Sequence, residues 1–81
     1  MNRFRTVFYK DTDGTKPLGT FIKSLRKEES GDIVRILYFF DKGRIILCTN
    51  GFVKKQQKTP RSEIELAKQR RASYHARGGL Q

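Results

Sequence analysis

The stretch from Ile33 to Pro60, IVRILYFFDKGRIILCTNGFVKKQQKTP, decides the fold. Its first part, from Asp32 to Phe40, is an almost unbroken run of β-branched and aromatic residues interrupted by one arginine, the pattern of a strand covered on both faces. Lys42-Gly43 fits a two-residue hairpin turn, after which RIILCTNGFV returns as a second strand. With that turn, Asp41 faces Arg44 and Arg35 faces Asn50. Lys54 and Lys55 then leave the sheet at the end where Arg35 stands, so residues far apart in sequence become neighbours in space.

Working outward, Phe4 to Tyr9 reads as a first strand, with Phe4, Thr6 and Phe8 on one face and Arg5, Val7 and Tyr9 on the other. DTDGT supplies turn residues; Thr15 is placed to cap a helix that tolerates Pro17 in its first turn. Leu18, Phe21, Ile22 and Leu25 recur at helical spacing and give one apolar stripe, and Ser30-Gly31 predicts the helix end near Glu29. Downstream, Thr59-Pro60 predicts an N-cap and first helical position for a helix through SEIELAKQRRASYHA. Ile64, Ala67, Arg71 and Tyr74 lie along one side of it, and Gly78-Gly79 ends it, leaving 78–81 as a frayed tail. The expectation is an α+β domain over residues 1–81: a small antiparallel sheet of about three strands, with one helix before and one after the central hairpin.

Composition narrows the function. The 81 residues carry 18 lysines and arginines against 8 acids, for a net charge of +10. Each cation that meets a phosphate releases a condensed counterion, so this balance favours a polyanionic partner. A hydrophobic content of 36% supports a modest core and argues against disorder. One cysteine, Cys48, excludes a disulfide within the chain and a cysteine metal site, and reads as a buried small hydrophobe. No apolar segment approaches the roughly 20 residues that span a bilayer, and MNRFRTVFYK has no apolar signal core, so a cytoplasmic protein without membrane contact is expected. A domain this small is thinly stabilised, which makes a partner or a homodimer plausible.

The segment RILYFFDKGRIILCTNGFVKKQQKTPRSEIELAKQRRASY resembles the HigB-type, phage-related branch of the RelE/ParE toxin superfamily, which shows an R-I-L-Y-F strand, a G-F-x-K-K loop and a T-P-x-x-E-I-E-x-A helix. FRTVFYKDTDGTKPLGTFIKSL is similar to the opening of such toxins. The family carries a second helix, a turn and a further strand between its first helix and the arginine strand; here Ser24 to Gly31 joins the two directly, about thirty residues shorter by usual element lengths. The resemblance implies a truncated RelE-like fold and a type II toxin that cleaves mRNA, typically on the ribosome, without metal or cofactor, and that is held by an acidic antitoxin.

Such cleavage needs a base for the 2′-hydroxyl, cations for the pentacoordinate phosphorane and an acid for the leaving 5′-oxygen. By resemblance, Arg35 is the strand arginine set against the scissile phosphate, and Lys54 and Lys55 are the cationic loop. A lysine acts as base only where its pKa is depressed. Lys58, Arg61, Arg26, Lys27 and Tyr74 are the candidate RNA contacts, Tyr74 by stacking on a base or by assisting proton transfer. The bland readings are a solvated loop for the lysines, a core anchor for Phe52, and first-turn helix charges for Glu63 and Glu65. His75, near the chain end and without an acidic neighbour in sequence, is a poor catalyst candidate. Three other functions remain open: an RNA- or ribosome-binding module without catalysis, a ParE-like gyrase inhibitor, and a degenerate inactive toxin.

Overall fold

A computed structural model describes residues 3–25, 33–55 and 58–79. The elements in chain order are strand β1 (Arg5–Phe8), helix α1 (Pro17–Ser24), strands β2 (Ile33–Asp41) and β3 (Ile45–Lys54), and helix α2 (Arg61–Ala76). The α+β class and the helix on either side of the hairpin are as expected. The sheet, in the order β1-β3-β2, is mixed rather than wholly antiparallel, because β1 pairs with β3 in parallel. The cause lies in α1: it begins just after β1 and seats Leu18 and Phe21 against Gly51, near the far end of β3. The chain therefore starts β2 at the end where β1 stopped, and β3, folding back, runs beside β1 in the same direction.

The hairpin closes through three residues instead of two. Asp41 pairs with Ile45, and the loop Lys42-Gly43-Arg44 places Gly43 at φ 71 and Arg44 at φ 58. A second irregularity follows between Leu37 and Tyr38, where Thr49 is the extra residue of a bulge, so Leu37 pairs with Asn50 and Tyr38 with Cys48. Arg35 consequently faces Phe52 and not Asn50.

Opposite residues in a ladder share a face, so these pairings sort the two sides of the sheet. One side carries Val7, Leu47, Phe39, Asn50, Phe52 and Arg35, and it is the side α2 covers. Tyr74 of α2 packs with Leu47, Tyr9 and Val7, and Asn50 Nδ2 donates to the Glu63 carbonyl at 3.2 Å and to its carboxylate at 3.0 Å. The other side carries Phe8, Cys48, Gly51, Ile36, Tyr38 and Phe40. Helix α1 covers only the Gly51 end of it.

Helix α2 turns a different stripe inward from the one its spacing suggests. Ala67 and Tyr74 are buried, but Ile64 is 37% exposed and Arg71 is exposed. Arg70 instead reaches the sheet, where its guanidinium donates to the Thr49 carbonyl at 2.9 Å and lies 5.7 Å from the Tyr9 ring. The bulge leaves that carbonyl off the ladder, and the arginine satisfies it. Arg77 covers the same ring at 5.2 Å and donates to the Lys10 carbonyl at 2.8 Å.

Three further expectations shift. Strand β2 lies at an edge of the sheet, with Ile33, Ile36, Tyr38 and Phe40 between 41% and 63% exposed, so its apolar run does not mark a strand covered on both faces; the covered strand is β3. Helix α1 ends at Ser24 with Leu25 extended, before the expected stop near Glu29. Thr15 does not cap α1, because its hydroxyl and amide are both engaged by Asp13, at 2.7 and 3.0 Å. Pro60, one residue later than expected, stands at the head of α2.

Candidate nucleic-acid interface

The cations of interest collect where β2 begins, β3 ends and α2 begins. Arg35 pairs with Phe52 and Ile33 with Lys54, so Arg35 and Lys54 stand on the same face of the sheet as diagonal neighbours, a placement that generally holds Cβ atoms about 7 Å apart. That face is the one α2 covers. Helix and strand also run alongside one another: the Arg71 guanidinium sits 4.8 Å over the Phe39 ring, and His75 Nε2 lies 3.4 Å from Asp41 Oδ1. Going from Phe39 back to Arg35 covers about 13 Å at the usual strand rise, the length of roughly nine helical residues. Counting nine back from Arg71 reaches Ser62, so Arg35 comes abreast of the first turn of α2.

Arg61 lies in that turn, and Lys58 lies just before it. Arg35, Lys55, Lys58 and Arg61 are exposed and Lys54 is half-buried. Among the described residues no carboxylate pairs with Arg35. The nearby acid of the first turn, Glu63, is occupied by the Asn50 amide. The start of α2 adds the partial positive charge of its unsatisfied amides to these side chains. The group can meet a phosphate chain along an open surface, with the Arg35 fork suited to two parallel hydrogen bonds.

Other candidates fare differently. Tyr74 is 1% exposed, packed against Leu47 and Tyr9, so neither face of its ring can stack on a base. Burial, and then the negative charge of Asp41, push its hydroxyl above the usual tyrosine range. That hydroxyl feels Asp41 yet makes no hydrogen bond, and is left orphaned in the core. Arg26 and Lys27 lie outside the described residues. Phe52 is buried, as its bland reading has it. Cys48 is buried and its thiol is pushed up by that burial, the opposite of what a nucleophile needs.

Two features were missed. His75 does have an acidic partner: Asp41, whose carboxyl is held below the usual range first by the Lys42 amide and then, against the opposing effect of burial, by His75. The hairpin brings that carboxylate 34 residues along the chain, and no local spacing announces it. A cleft of about 300 Å³ also runs along β1, lined by Arg5, Lys10 and Lys16 among others. The alternation in FRTVFYK placed Arg5 on a face, but the pairing with Lys16 comes from the turn.

No helix among the described residues is long and apolar enough to cross a membrane, and no group of histidine, cysteine, aspartate or glutamate among them could hold a metal ion. A family model described as phage derived protein Gp49-like matches residues 4–72. Comparison with curated proteins gives no match.

Proposed function

Since the chain belongs to the phage-derived Gp49-like family, a family of RelE/HigB-like toxins associated with toxin–antitoxin systems, we propose that it is an endoribonuclease toxin that cuts mRNA on the ribosome and is held by an acidic antitoxin. The observation that carries the reading is the gathering of Arg35 and Lys54 on one face of the sheet, beside the head of α2, with Arg35 unpaired among the described residues.

In this reading the 2′-oxygen attacks the adjacent phosphorus and the bond to the 5′-oxygen breaks, leaving a 2′,3′-cyclic phosphate and a free 5′-hydroxyl. Arg35 holds the two non-bridging oxygens, whose charge grows in the transition state. Lys54, which shares the face of Arg35, takes the proton of the 2′-hydroxyl; Lys55, just beyond the strand, supplies a proton to the leaving oxygen. Lys58 and Arg61 hold the flanking phosphates. An acidic antitoxin would be drawn to the same cations and would cover them.

Induction in growing cells, with transcript ends mapped on isolated ribosomes, tests this. Growth arrest with new 5′ ends is expected, and Arg35→Ala should lower cleavage about 10²-fold or more, the usual cost of removing a group that stabilises a developing oxyanion. Absence of new ends, or an Arg35→Ala variant as active as the parent, overturns the nuclease reading. RNA binding without cutting would leave a binding module, with a log–log salt slope near −3 if four cations meet single-stranded phosphates. Arrested DNA supercoiling with intact transcripts would place the chain with the gyrase inhibitors.

A further inference from the structure

The two open edges of this sheet differ. At one edge β1 is four residues long and is flanked by Arg5, Lys10 and Lys16, the short, charged form that discourages further pairing. At the other, β2 runs nine residues and pairs only with β3 among the described residues. Its side chains do little to guard it. Ile36 is 41% exposed, Tyr38 52% and Phe40 63%; the last two meet edge to face at 5.6 Å. The bulge that could have turned an edge away sits in β3, on the side already paired.

The geometry points to a second copy of this chain as the occupant of that edge, joined β2 to β2 across a two-fold axis at Tyr38, so that two three-stranded sheets become one of six strands. The sequence of β2 is self-complementary about this residue. Running the strand antiparallel to itself with Tyr38 on the axis sets Phe40 against the copy's Ile36 and Leu37 against its Phe39. It also sets Arg35 against the copy's Asp41, once on each side of the axis. Every rung from residue 35 to residue 41 then joins apolar to apolar or a cation to an anion, which is the combination that stabilises a ladder. Moving the axis by one residue, onto Leu37, sets Arg35 against Phe39 and Asp41 against Ile33 and loses both charge pairs. An isologous two-fold contact of this kind closes on itself and leaves no edge to propagate. The +10 charge of each copy opposes association, but beyond about 8 Å that repulsion is screened at physiological salt. The inference does not rest on the proposed cleavage, but it touches it: Arg35, unpaired among the described residues, gains a carboxylate partner in the dimer, so RNA and the second copy would compete for it.

Sedimentation equilibrium of the purified chain without RNA tests it. A species of twice the 9.5 kDa mass is expected. Tyr38→Lys, which brings two ammonium groups together on the axis, should return it to a monomer. Asp41→Arg, which sets like charges opposite each other twice, should weaken association about tenfold or more. The double exchange Arg35→Asp with Asp41→Arg restores both pairs and should restore the dimer, and a loss caused by misfolding would not be rescued in this way. A chain that stays monomeric throughout overturns the proposal. So does a dimer indifferent to Tyr38→Lys and Asp41→Arg, which would mean another surface is used.

Discussion

Replacing Gly51 by alanine tests the seat of α1 on the sheet, the contact that sends β2 back from the end where β1 stops. A Cβ at this position would lie 2.9 Å from Leu18 Cδ1, 2.9 Å from Phe21 Cε2 and 3.0 Å from Phe21 Cδ2. Phe21 is half-buried and can swing aside. Leu18 is 1% exposed and has nowhere to go. Overpacking of this kind costs about 1–3 kcal/mol. Against it, alanine restricts the unfolded chain and returns about 0.4–1 kcal/mol, since Gly51 has no positive φ to lose. A net destabilisation of about 1–2 kcal/mol follows, a large share of the roughly 4–12 kcal/mol that a chain of this length commands. Calorimetric or circular-dichroism melting should show Tm lowered by about 5–15 °C. The control is Leu18→Ala, which alone costs about 2–5 kcal/mol. In the double variant the new methyl enters the space Leu18 left, so the two changes together should cost at least about 1 kcal/mol less than their sum. An unchanged or higher Tm for Gly51→Ala, or strict additivity in the cycle, would refute the placement of α1.

Arg70→Met keeps the length of the side chain but strands the Thr49 carbonyl in a fully buried residue, and should lower stability by about 1–3 kcal/mol in urea titration. Tyr74→Phe removes a buried hydroxyl without a hydrogen-bond partner; the melting temperature should hold or rise, and RNA affinity should not change, because the ring is closed to solvent. The carboxyls of Asp13 and Asp41 both lie below their ordinary value, Asp13 chiefly through the Thr15 amide and hydroxyl, Asp41 chiefly through the Lys42 amide. A depressed folded pKa gives stabilisation that is complete above the unfolded value near 3.9 and is lost as pH falls through the folded value. Melting followed from pH 6 to pH 2 should therefore show a loss concentrated below about pH 4, shallower in Asp13→Asn and Asp41→Asn.

The element order was readable because each segment carries its own period and its own punctuation. What the chain does not state locally is how elements meet. Nothing in DKGR says that Arg44 enters the left-handed region, and nothing in CTNG says that Thr49 stands outside the ladder. Each event slips the hairpin by one residue, and one slip alone would turn every side chain of β2 to the wrong face. Two slips in the same direction preserve the face. Arg35 moves from the rung of Asn50 to the rung of Phe52, and so comes two residues from Lys54 instead of four. The neighbourhood expected from the sequence survives for a reason the sequence reading did not contain.

The same reasoning explains why Tyr74 misled. Helical spacing puts Ile64, Ala67, Arg71 and Tyr74 on one side, but it cannot say where the sheet is. The sheet is located by the bulged Thr49 carbonyl, which draws Arg70 inward, and by Tyr9, which Arg70 and Arg77 cover from α2. That rotation buries Tyr74 and turns Arg71 out over Phe39. A bulge in β3 thus sets the angle of α2 as well as the register of β2, and the head of α2 reaches Arg35 only because both are set together. Deleting Thr49 would leave Leu37 opposite Asn50 and Arg35 opposite Phe52 on a regular ladder, still diagonal to Lys54, but it removes the carbonyl that holds Arg70 against the sheet; the seat of α2 should loosen, lowering the melting temperature while the pairing of β2 with β3 is kept.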